Sequence, residues 1–280
     1  MTKIEWTEET WNPIRARDSA GTVGWHCERV SEGCVNCYAE TINQKRFGTG
    51  LPYNRRSRDL VEVLLDESTL QKPLSWRKPR RVFVCSMTDL FGEWVSDEML
   101  DRIFAVMALT PHITYQVLTK RPERMRAFLS ERPYGMPDRN IWLGVSVENQ
   151  HWADVRIPEL LATPAAVRFL SCEPLLGEVY FTRDLLWNAT PCPEGCGCAR
   201  PVDADVADCA CDGPCCFDLE GFNGRKPDID WVIVGGESGP GARPCDVGWI
   251  RSIVSQCKAA GTKVFVKQLG ARPVTACASH

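Results

Sequence analysis

Short apolar runs alternate with helix-like segments along most of the chain. The runs that predict buried strands are 81–85, 114–118, 140–147, 167–171, 230–235 and 263–267, and the segments that predict helices are 97–109, 122–131, 150–162 and 246–260. Continuous apolar strands separated by helices are typical of a parallel sheet with both faces covered. About six such units predict an α/β fold with a complete or partial parallel barrel of the (β/α)6 type, and a doubly wound open sheet is the alternative.

Polar residues follow nearly every predicted strand. They are Ser86, Thr88 and Asp89; Thr119, Lys120 and Arg121; Ser146 and Glu148; Glu173; Glu237 and Ser238; and Lys267 and Gln268. In a parallel barrel the carboxyl ends of the strands converge on one mouth, where the active site forms. The series therefore favours the barrel and predicts one shared site.

Composition sets the broad class of the protein. The chain has 280 residues, of which 44% are hydrophobic and 25% charged, and its formal net charge is −3. This suits one large domain with a core of its own, and it does not suit a uniformly basic nucleic-acid binder. No apolar run approaches the roughly 20 residues that span a bilayer, and the first residues lack the apolar stretch of a signal peptide. We therefore expect a cytoplasmic protein without a membrane partner.

Cysteine is the unusual residue, with fifteen copies. Three lie at 27–37 and seven at 192–216, and the other five (Cys85, Cys172, Cys245, Cys257 and Cys277) are scattered. Clustered cysteines in a cytosolic chain favour metal or redox chemistry over disulfides. Most of the scattered ones are expected to act as small apolar residues.

The first cluster, Cys27, Cys34 and Cys37, has the spacing C-x6-C-x2-C. Structural zinc takes four protein ligands, and His26 is awkwardly placed as a fourth because it adjoins Cys27. Three thiolates instead suit a [4Fe–4S] cluster with one iron free to bind a small molecule. A small zinc knuckle or three reduced thiols are the alternatives.

The second cluster comprises Cys192, Cys196, Cys198, Cys209, Cys211, Cys215 and Cys216. It interrupts the strand-helix pattern, so we expect residues 188–228 to form a cysteine-rich insertion in a barrel built from 1–187 and 229–280. The segment has few apolar residues, and a bound metal would supply stability. Zinc on four thiolates is favoured over an auxiliary iron–sulfur cluster, and a flexible loop with free thiols is the third option.

The first cluster resembles that of the radical S-adenosylmethionine (SAM) superfamily, which typically has C-x3-C-x2-C with an aromatic residue beside the last cysteine, as Tyr38 is here. The first gap is six residues instead of three. Further phrases resemble an uncharacterised, phage-associated family of radical-SAM-like proteins over about residues 4–270. They run from Trp11 to Pro13, Gly33 to Ala39, Ser86 to Phe91, Leu118 to Pro122, Leu143 to Glu148, Ser171 to Gly177, Gly235 to Arg243 and Val266 to Gln268.

The resemblance implies a fold, two cofactors and roles for the strand ends. A [4Fe–4S] cluster on Cys27, Cys34 and Cys37 would bind SAM and, after reduction by a donor such as flavodoxin or ferredoxin, cleave it to a radical that takes a hydrogen atom from the substrate. We expect Ser86, Thr88 and Asp89 to contact the SAM amino group, and Lys120 or Arg121 to contact its carboxylate. Ser146 and Glu148 are expected at the ribose, and Gly235, Gly236 and Glu237 at the adenine. Glu173 and Lys267 are expected to contact the substrate or each other. A structural salt bridge at a strand end is the alternative for each.

Basic and aromatic residues give the indication of the substrate. Basic clusters at 45–46, 55–58, 77–81 and 120–126, interleaved with Phe47, Tyr53, Trp76 and Trp94, suit phosphates and extruded bases. A solvated charged face is the alternative. Because the family is phage-associated, we expect modification of a nucleobase in DNA or a nucleotide, with isomerisation of a thymine substituent favoured, in the host cytoplasm if the chain is phage-encoded. Repair of a DNA photoproduct, or action on a peptide or small molecule, are further options, and a zinc-stabilised nucleic-acid-binding protein is the non-enzymatic one.

Overall fold

The computed structural model describes residues 4–132, 139–181 and 228–275. The strands in these ranges are β1 Glu9–Trp11, β2 Ile14–Asp18, β3 Val23–Gly24, β4 Val61–Leu65, β5 Arg80–Val84, β6 Ile113–Thr119, β7 Ile141–Ser146, β8 Val167–Cys172, β9 Trp231–Gly235, β10 Cys245–Asp246, β11 Lys263–Gln268 and β12 Pro273–Val274. The helices are α1 Tyr38–Lys45, α2 Arg55–Arg58, α3 Glu67–Leu70, α4 Asp97–Ala108, α5 Pro122–Ser130, α6 Gln150–Ala162 and α7 Val247–Ala260, with 3-10 turns at Glu32–Cys34 and Lys72–Ser75. The predicted strands and helices lie within two residues of these bounds.

Seven of these strands form one parallel sheet in the order β1-β5-β6-β7-β8-β9-β11. The order follows the chain, whereas a doubly wound sheet reverses its order at a switch point. The alternative of a doubly wound sheet is therefore wrong, and the fold is a mixed α/β structure with a curled parallel half-barrel. The short edge strand β1 was not predicted.

The two faces of the sheet are packed differently. The outer face contributes Val82, Val84 and Leu143 to the large core, which helices α4 to α7 complete with residues such as Ile103 and Ile253. This is the packing expected when amphipathic helices cover a parallel sheet. The long apolar runs of the sequence reflect burial on both faces.

The inner face carries a cluster of aromatic residues. The ring of Trp6 lies 4.8 Å from that of Phe83 on β5 and 6.4 Å from that of Phe169 on β8. In a flat sheet strands three positions apart would be separated by about 14 Å, at 4.7–4.9 Å per strand. One indole that contacts both strands shows that the sheet curls around this face.

A small antiparallel sheet, β3-β2-β4, precedes the β5 unit and packs beside it. The scattered cysteines at 85, 172, 245 and 257 are buried, as expected for small apolar side chains, while Cys277 and the whole cluster at 192–216 lie outside the described residues. Within the part of the chain that the structure describes, no helix is long and apolar enough to cross a membrane.

Candidate functional site

An open cavity of about 260 Å³ lies at the carboxyl ends of the parallel strands. Its lining includes most of the residues predicted from the sequence: Cys27, Cys34, Cys37, Ser86, Thr88, Asp89, Lys120, Ser146, Glu173, Glu237 and Lys267. The structure therefore brings these residues together around one cavity. Glu148, Gly235 and Gly236 are not part of the lining.

The three cysteines lie on the connection between β3 and α1, which we call the cysteine loop (residues 25–37). Desolvation raises the pKa of the Cys27 thiol to about 12, with Asp89 and Cys37 adding to the rise and Arg121 opposing it. Desolvation also raises the pKa of Cys37. Such thiols stay protonated at neutral pH until a metal stabilises the thiolate.

Three thiols are a donor set that a [4Fe–4S] cluster can use. All three thiols face one cavity, whereas the neighbouring His26 does not line it and its Nε2 lies 3.5 Å from Glu28. Among the described residues no group of three His, Cys, Asp or Glu side chains is arranged to hold one metal ion. In a [4Fe–4S] cluster each thiolate binds a different iron, so the three donors need not converge on one point.

Glu148, at the carboxyl end of β7, holds the middle of the cysteine loop. Its buried carboxylate accepts hydrogen bonds from Ser31 Oγ at 2.7 Å and from Arg156 Nη1 at 2.7 Å, and Lys120 Nζ lies 3.6 Å away. A Cβ on Gly33 would fall 2.4 Å from Glu148 Oε1, so the loop can pass this close only with glycine there. Glu148 is expected from the sequence to contact the SAM ribose, and the structure places its carboxylate in the interior, where Ser31, Arg156 and Lys120 surround it.

Glu237, after β9, holds the other end of the loop. Its carboxylate accepts hydrogen bonds from Asn36 Nδ2 at 2.8 Å and from Arg243 Nη2 at 2.6 Å, and Arg243 Nη1 donates to the carbonyl of Glu32 at 2.9 Å. Desolvation opposes ionisation, but the hydrogen bonds from Arg243 and Asn36 outweigh it and lower the pKa of Glu237 to about 2. Glu237 therefore stays ionised and ties the segment between Cys34 and Cys37 to the sheet.

The ends of β5 and β6 hold the start of the loop. Thr88 Oγ1 donates to the carbonyl of His26 at 2.5 Å, and Arg121 Nη2 donates to the carbonyl of Glu28 at 3.1 Å. Arg121 also pairs with Asp89 at 3.0 Å, and the two Asp89 oxygens accept further bonds from Phe91, Thr119 and Lys120. These contacts occupy the groups of Asp89 and Arg121 that were predicted to bind SAM. Lys120 and Arg121 are the two candidates for binding the SAM carboxylate. Lys120 contacts Asp89 only through its backbone N–H, so its side chain does not pair with Asp89.

The remaining predicted residues present polar groups to the cavity. Lys120 Nζ donates to Ser146 Oγ at 3.0 Å, and Ser86 Oγ donates to Asn12 Oδ1 at 3.2 Å. Lys267 Nζ donates to Glu173 Oε1 at 2.7 Å, so the prediction that these two residues contact each other is confirmed. Among the described residues, three cationic side chains therefore line the cavity, Lys120, Arg121 and Lys267, and the last two pair with Asp89 and Glu173.

Gly235 and Gly236 serve close packing of the chain on itself. A Cβ on Gly236 would lie 2.5 Å from the carbonyl oxygen of Leu269 and 2.9 Å from the Cα of Gly270. A Cβ on Gly235 would lie 3.1 Å from the carbonyl oxygen of Gln268. The space that the missing side chains leave is thus filled by backbone, which is a packing reason for glycine at both positions.

Sequence reasoning did not identify the apolar floor of the cavity. Ile4, Trp6, Phe83 and Leu118 belong to the inner aromatic cluster and also line the cavity. Phe83 and Leu118 are the inward residues of strands that are buried on both faces. The sequence gives no signal that separates them from the outward core residues beside them.

Comparison with the curated proteins and with the solved structures found no match. A family model matches residues 1–278, which is nearly the whole chain and includes the half-barrel, the cysteine loop and the segment outside the described residues. The chain therefore belongs to the family described as "Protein of unknown function (DUF5131)".

Proposed function

We propose that this chain is a radical SAM enzyme of the partial (β/α)6-barrel type that modifies a nucleobase in DNA, most simply by isomerising a thymine substituent. One observation carries the proposal. Three cysteine thiols and the polar ends of successive parallel strands line the same cavity. A parallel barrel places its chemistry at this end.

The cysteine loop supplies the cluster ligands. Cys27, Cys34 and Cys37 would hold the [4Fe–4S] cluster, and the ties to Glu148 and Glu237 fix the loop before the cluster arrives. When bound, the reduced cluster supplies one electron to the sulfonium of SAM, which breaks its C5′–S bond and yields the radical that takes hydrogen from the substrate. The protein's own task is to orient the reactants and exclude water.

Two separate sets of polar groups in the cavity suit two different ligands, the cofactor and the substrate. Lys120 and Ser146 lie on the side of the cysteine loop that Glu148 tethers, and they suit the carboxylate and ribose of SAM. Glu173 and Lys267 form a separate pair and suit the substrate. A charge-assisted hydrogen bond from Lys120 would orient the carboxylate.

The floor favours a flat, largely apolar substrate group. Trp6 and Phe83 present aromatic surface, and a base that leaves the stack is commonly read by stacking and by polar groups at its edge. An isomerisation requires no external oxidant, because the hydrogen atom removed from one carbon of the substrate is returned at another, with no net oxidation. A flavodoxin or ferredoxin would supply the electron.

The test is the electron paramagnetic resonance spectrum of the anaerobically reconstituted, reduced protein with and without SAM. We expect a [4Fe–4S]⁺ signal that shifts when SAM is added and that is absent in Cys34→Ala. Cys85→Ala is the matched control, since Cys85 lines the same cavity outside the motif, and this variant should keep the signal. Stoichiometric zinc without iron in the wild type would instead favour the nucleic-acid-binding alternative.

A further inference from the structure

Helix α1 and the segment after it carry an exposed surface of four cationic side chains and one aromatic ring. It comprises the exposed residues Lys45, Arg46, Phe47, Arg55 and Arg56, and we call it the α1 basic surface. The segment between the two stretches packs on α1, since Asn43 Nδ2 donates to the carbonyl of Leu51 at 3.0 Å and the Tyr53 N–H donates to Glu40 at 3.1 Å. The net charge of the chain is −3, so the surface is a local feature and not a consequence of overall composition.

These four cations differ from Arg58 and from the arginines at 121–126, whereas the exposed Arg77 and Lys78 resemble them in having no ion pair among the described residues. Four other arginines of the predicted clusters are in ion pairs: Arg58 with Glu28 at 2.6 Å, Arg121 with Asp89 at 3.0 Å, Arg124 with Asp97 at 3.2 Å and Arg126 with Glu159 at 3.0 Å. Within residues 4–132, 139–181 and 228–275, no ion pair or side-chain hydrogen bond involves Lys45, Arg46, Arg55 or Arg56. They are left to interact with solvent or with an anionic partner.

Phe47 lies among these cations and is 72% exposed, the largest value for a large hydrophobic side chain in the described residues. An exposed aromatic ring among lysines and arginines is the combination that binds nucleic acids, because bases stack on the ring while the cations contact phosphates. A phosphorylated small molecule would need the cations but not the ring. The surface therefore suits a polynucleotide.

The position of the surface relates it to the cavity. Helix α1 begins at Tyr38, which lines the cavity, and its eight residues span about 12 Å at 1.5 Å per residue. Tyr53 also lines the cavity and precedes Arg55 by two positions. Each strand of duplex DNA carries one phosphate per about 3.4 Å of helix axis, so about 12 Å of axis corresponds to three or four phosphates.

We infer that the α1 basic surface binds the DNA strand that flanks a nucleotide extruded into the cavity, with Lys45, Arg46, Arg55 and Arg56 on phosphates and Phe47 on a base. The inference rests on the proposed function because it takes the nucleotide in the cavity as the substrate. Enzymes that modify a base must take it out of the stack, so contacts on the flanking strand are needed to hold the opened duplex.

The experiment measures binding of a short fluorescein-labelled DNA duplex to the full chain by fluorescence polarisation over a series of salt concentrations. The combined variant Lys45→Gln with Arg46→Gln should weaken binding several-fold and reduce the salt slope by up to about 2, at about 0.9 per lost phosphate contact. Arg77→Gln with Lys78→Gln is the matched control. These exposed residues precede the amino end of β5, opposite the cavity, and their loss should leave affinity and slope unchanged.

The aromatic contact has its own pair of variants. Phe47→Ala should weaken binding by about 5- to 100-fold, the range for loss of one stacked base, whereas Leu109→Ala, at 71% exposure, should have no effect. Arg55→Gln with Arg56→Gln repeats the charge test independently, should the first pair disturb helix α1.

The inference would be overturned by a loss in the control Arg77→Gln with Lys78→Gln as large as that in Lys45→Gln with Arg46→Gln. It would also be overturned by unchanged binding in both test pairs, or by no duplex binding by the wild type. Competition by thymidine monophosphate that abolishes binding of the labelled duplex without any salt dependence would do the same, since it would place recognition on the nucleotide alone. The measurement needs no SAM cleavage. The DNA-binding result can therefore be interpreted even if the spectroscopic test of the cluster fails. Likewise, the spectroscopic test can be interpreted even if the protein does not bind DNA.

Discussion

Ser31 and Glu148 are 117 positions apart in the sequence, yet Ser31 Oγ donates a hydrogen bond to Glu148 Oε1 at 2.7 Å. The same carboxylate is fully buried and pairs with Arg156, which is itself 1% exposed. A residue at the end of β7 thus joins the cysteine loop to the buried interior. The geometry of the proposed cluster site therefore depends on an ion pair that lies outside the cavity.

The first prediction concerns this ion pair. Glu148→Gln should lower the free energy of unfolding by about 3–5 kcal/mol, because removing one partner leaves the other charge buried and uncompensated. Arg156 already has two side-chain nitrogens without a hydrogen-bond partner among the described residues. Urea unfolding measures the loss of stability, and iron content after reconstitution should fall with it.

The control is Glu67→Gln, which breaks the exposed pair of Glu67 with Arg102 at 2.6 Å. Exposed pairs contribute little to stability because water screens them, so unfolding and iron content should stay near those of the wild type. A Glu148→Gln protein as stable as the wild type would show that the loop is held by other contacts.

The sheet could be predicted from sequence because its strands are buried on both faces and end abruptly in polar residues. Leu118 followed by Thr119 and Lys120 marks both the strand and the end that faces the cavity. Strand β1 escaped prediction since it has three residues, of which only Trp11 is buried. A strand of three residues is too short to show an alternation of apolar and polar positions.

The sequence could not predict which strand-end residues line the cavity and which hold the cysteine loop. Lys120 and Glu148 both follow a buried strand, but Lys120 lines the cavity while Glu148 faces the cysteine loop. That difference depends on the path of residues 25–37 across the mouth. The path is determined by contacts between residues far apart in sequence, such as Asn36 with Glu237. Spacing alone contains no information about these contacts.

The second prediction concerns Gly33. Gly33→Ala should displace the cysteine loop, because its Cβ would lie 2.4 Å from a Glu148 oxygen that Ser31 already holds in place. We expect loss of iron binding on reconstitution, measured as iron and sulfide per chain. Gly177→Ala is the control, since its Cβ would have no neighbour closer than 3.2 Å, and this variant should keep its iron. Full iron in Gly33→Ala would contradict the close packing of loop and carboxylate.

The third prediction concerns the pH dependence of stability. The pKa of Glu237 falls from 4.5 to about 2 on folding, so its ionised form stabilises the native state by about 3 kcal/mol at neutral pH. A depressed pKa contributes stability above the unfolded value, and that stability is lost as the pH falls from about 5 towards 2. The difference in unfolding free energy between the wild type and Glu237→Gln should therefore shrink on acidification.

Urea unfolding of both proteins at about pH 7 and about pH 3 gives this difference directly, because the other carboxylates titrate alike in the two proteins and cancel. Glu62→Gln is the control, because the exposed Glu62 side chain lies 3.7 Å from Arg17. Its free energy of unfolding should match that of the wild type at both pH values. A difference that is constant with pH would mean that Asn36 and Arg243 do not depress the pKa of Glu237.

The last prediction separates the roles of the two lysines that line the cavity, Lys120 and Lys267. Lys120 and Lys267 are matched in exposure, at 21% and 19% of their side chains, but they have different partners. Lys120 Nζ donates to the hydroxyl of Ser146 at 3.0 Å and lies 3.6 Å from Glu148, a carboxylate that already pairs with Arg156 at 2.7 Å. Lys267 Nζ is instead paired with Glu173 at 2.7 Å, a carboxylate with no other cationic partner among the described residues. A SAM carboxylate should therefore choose Lys120.

Lys120→Gln should raise the dissociation constant of SAM by about 10- to 100-fold, since a hydrogen bond between charged groups contributes about 1.5–3 kcal/mol and each 1.4 kcal/mol is tenfold. Lys267→Gln should leave SAM binding unchanged and reduce product formation from the DNA substrate. Equilibrium dialysis with labelled SAM against the reconstituted proteins measures the first effect. Equal weakening in both variants would mean that the Glu173–Lys267 pair opens to bind the cofactor, and the substrate would then have to lie over the aromatic floor alone.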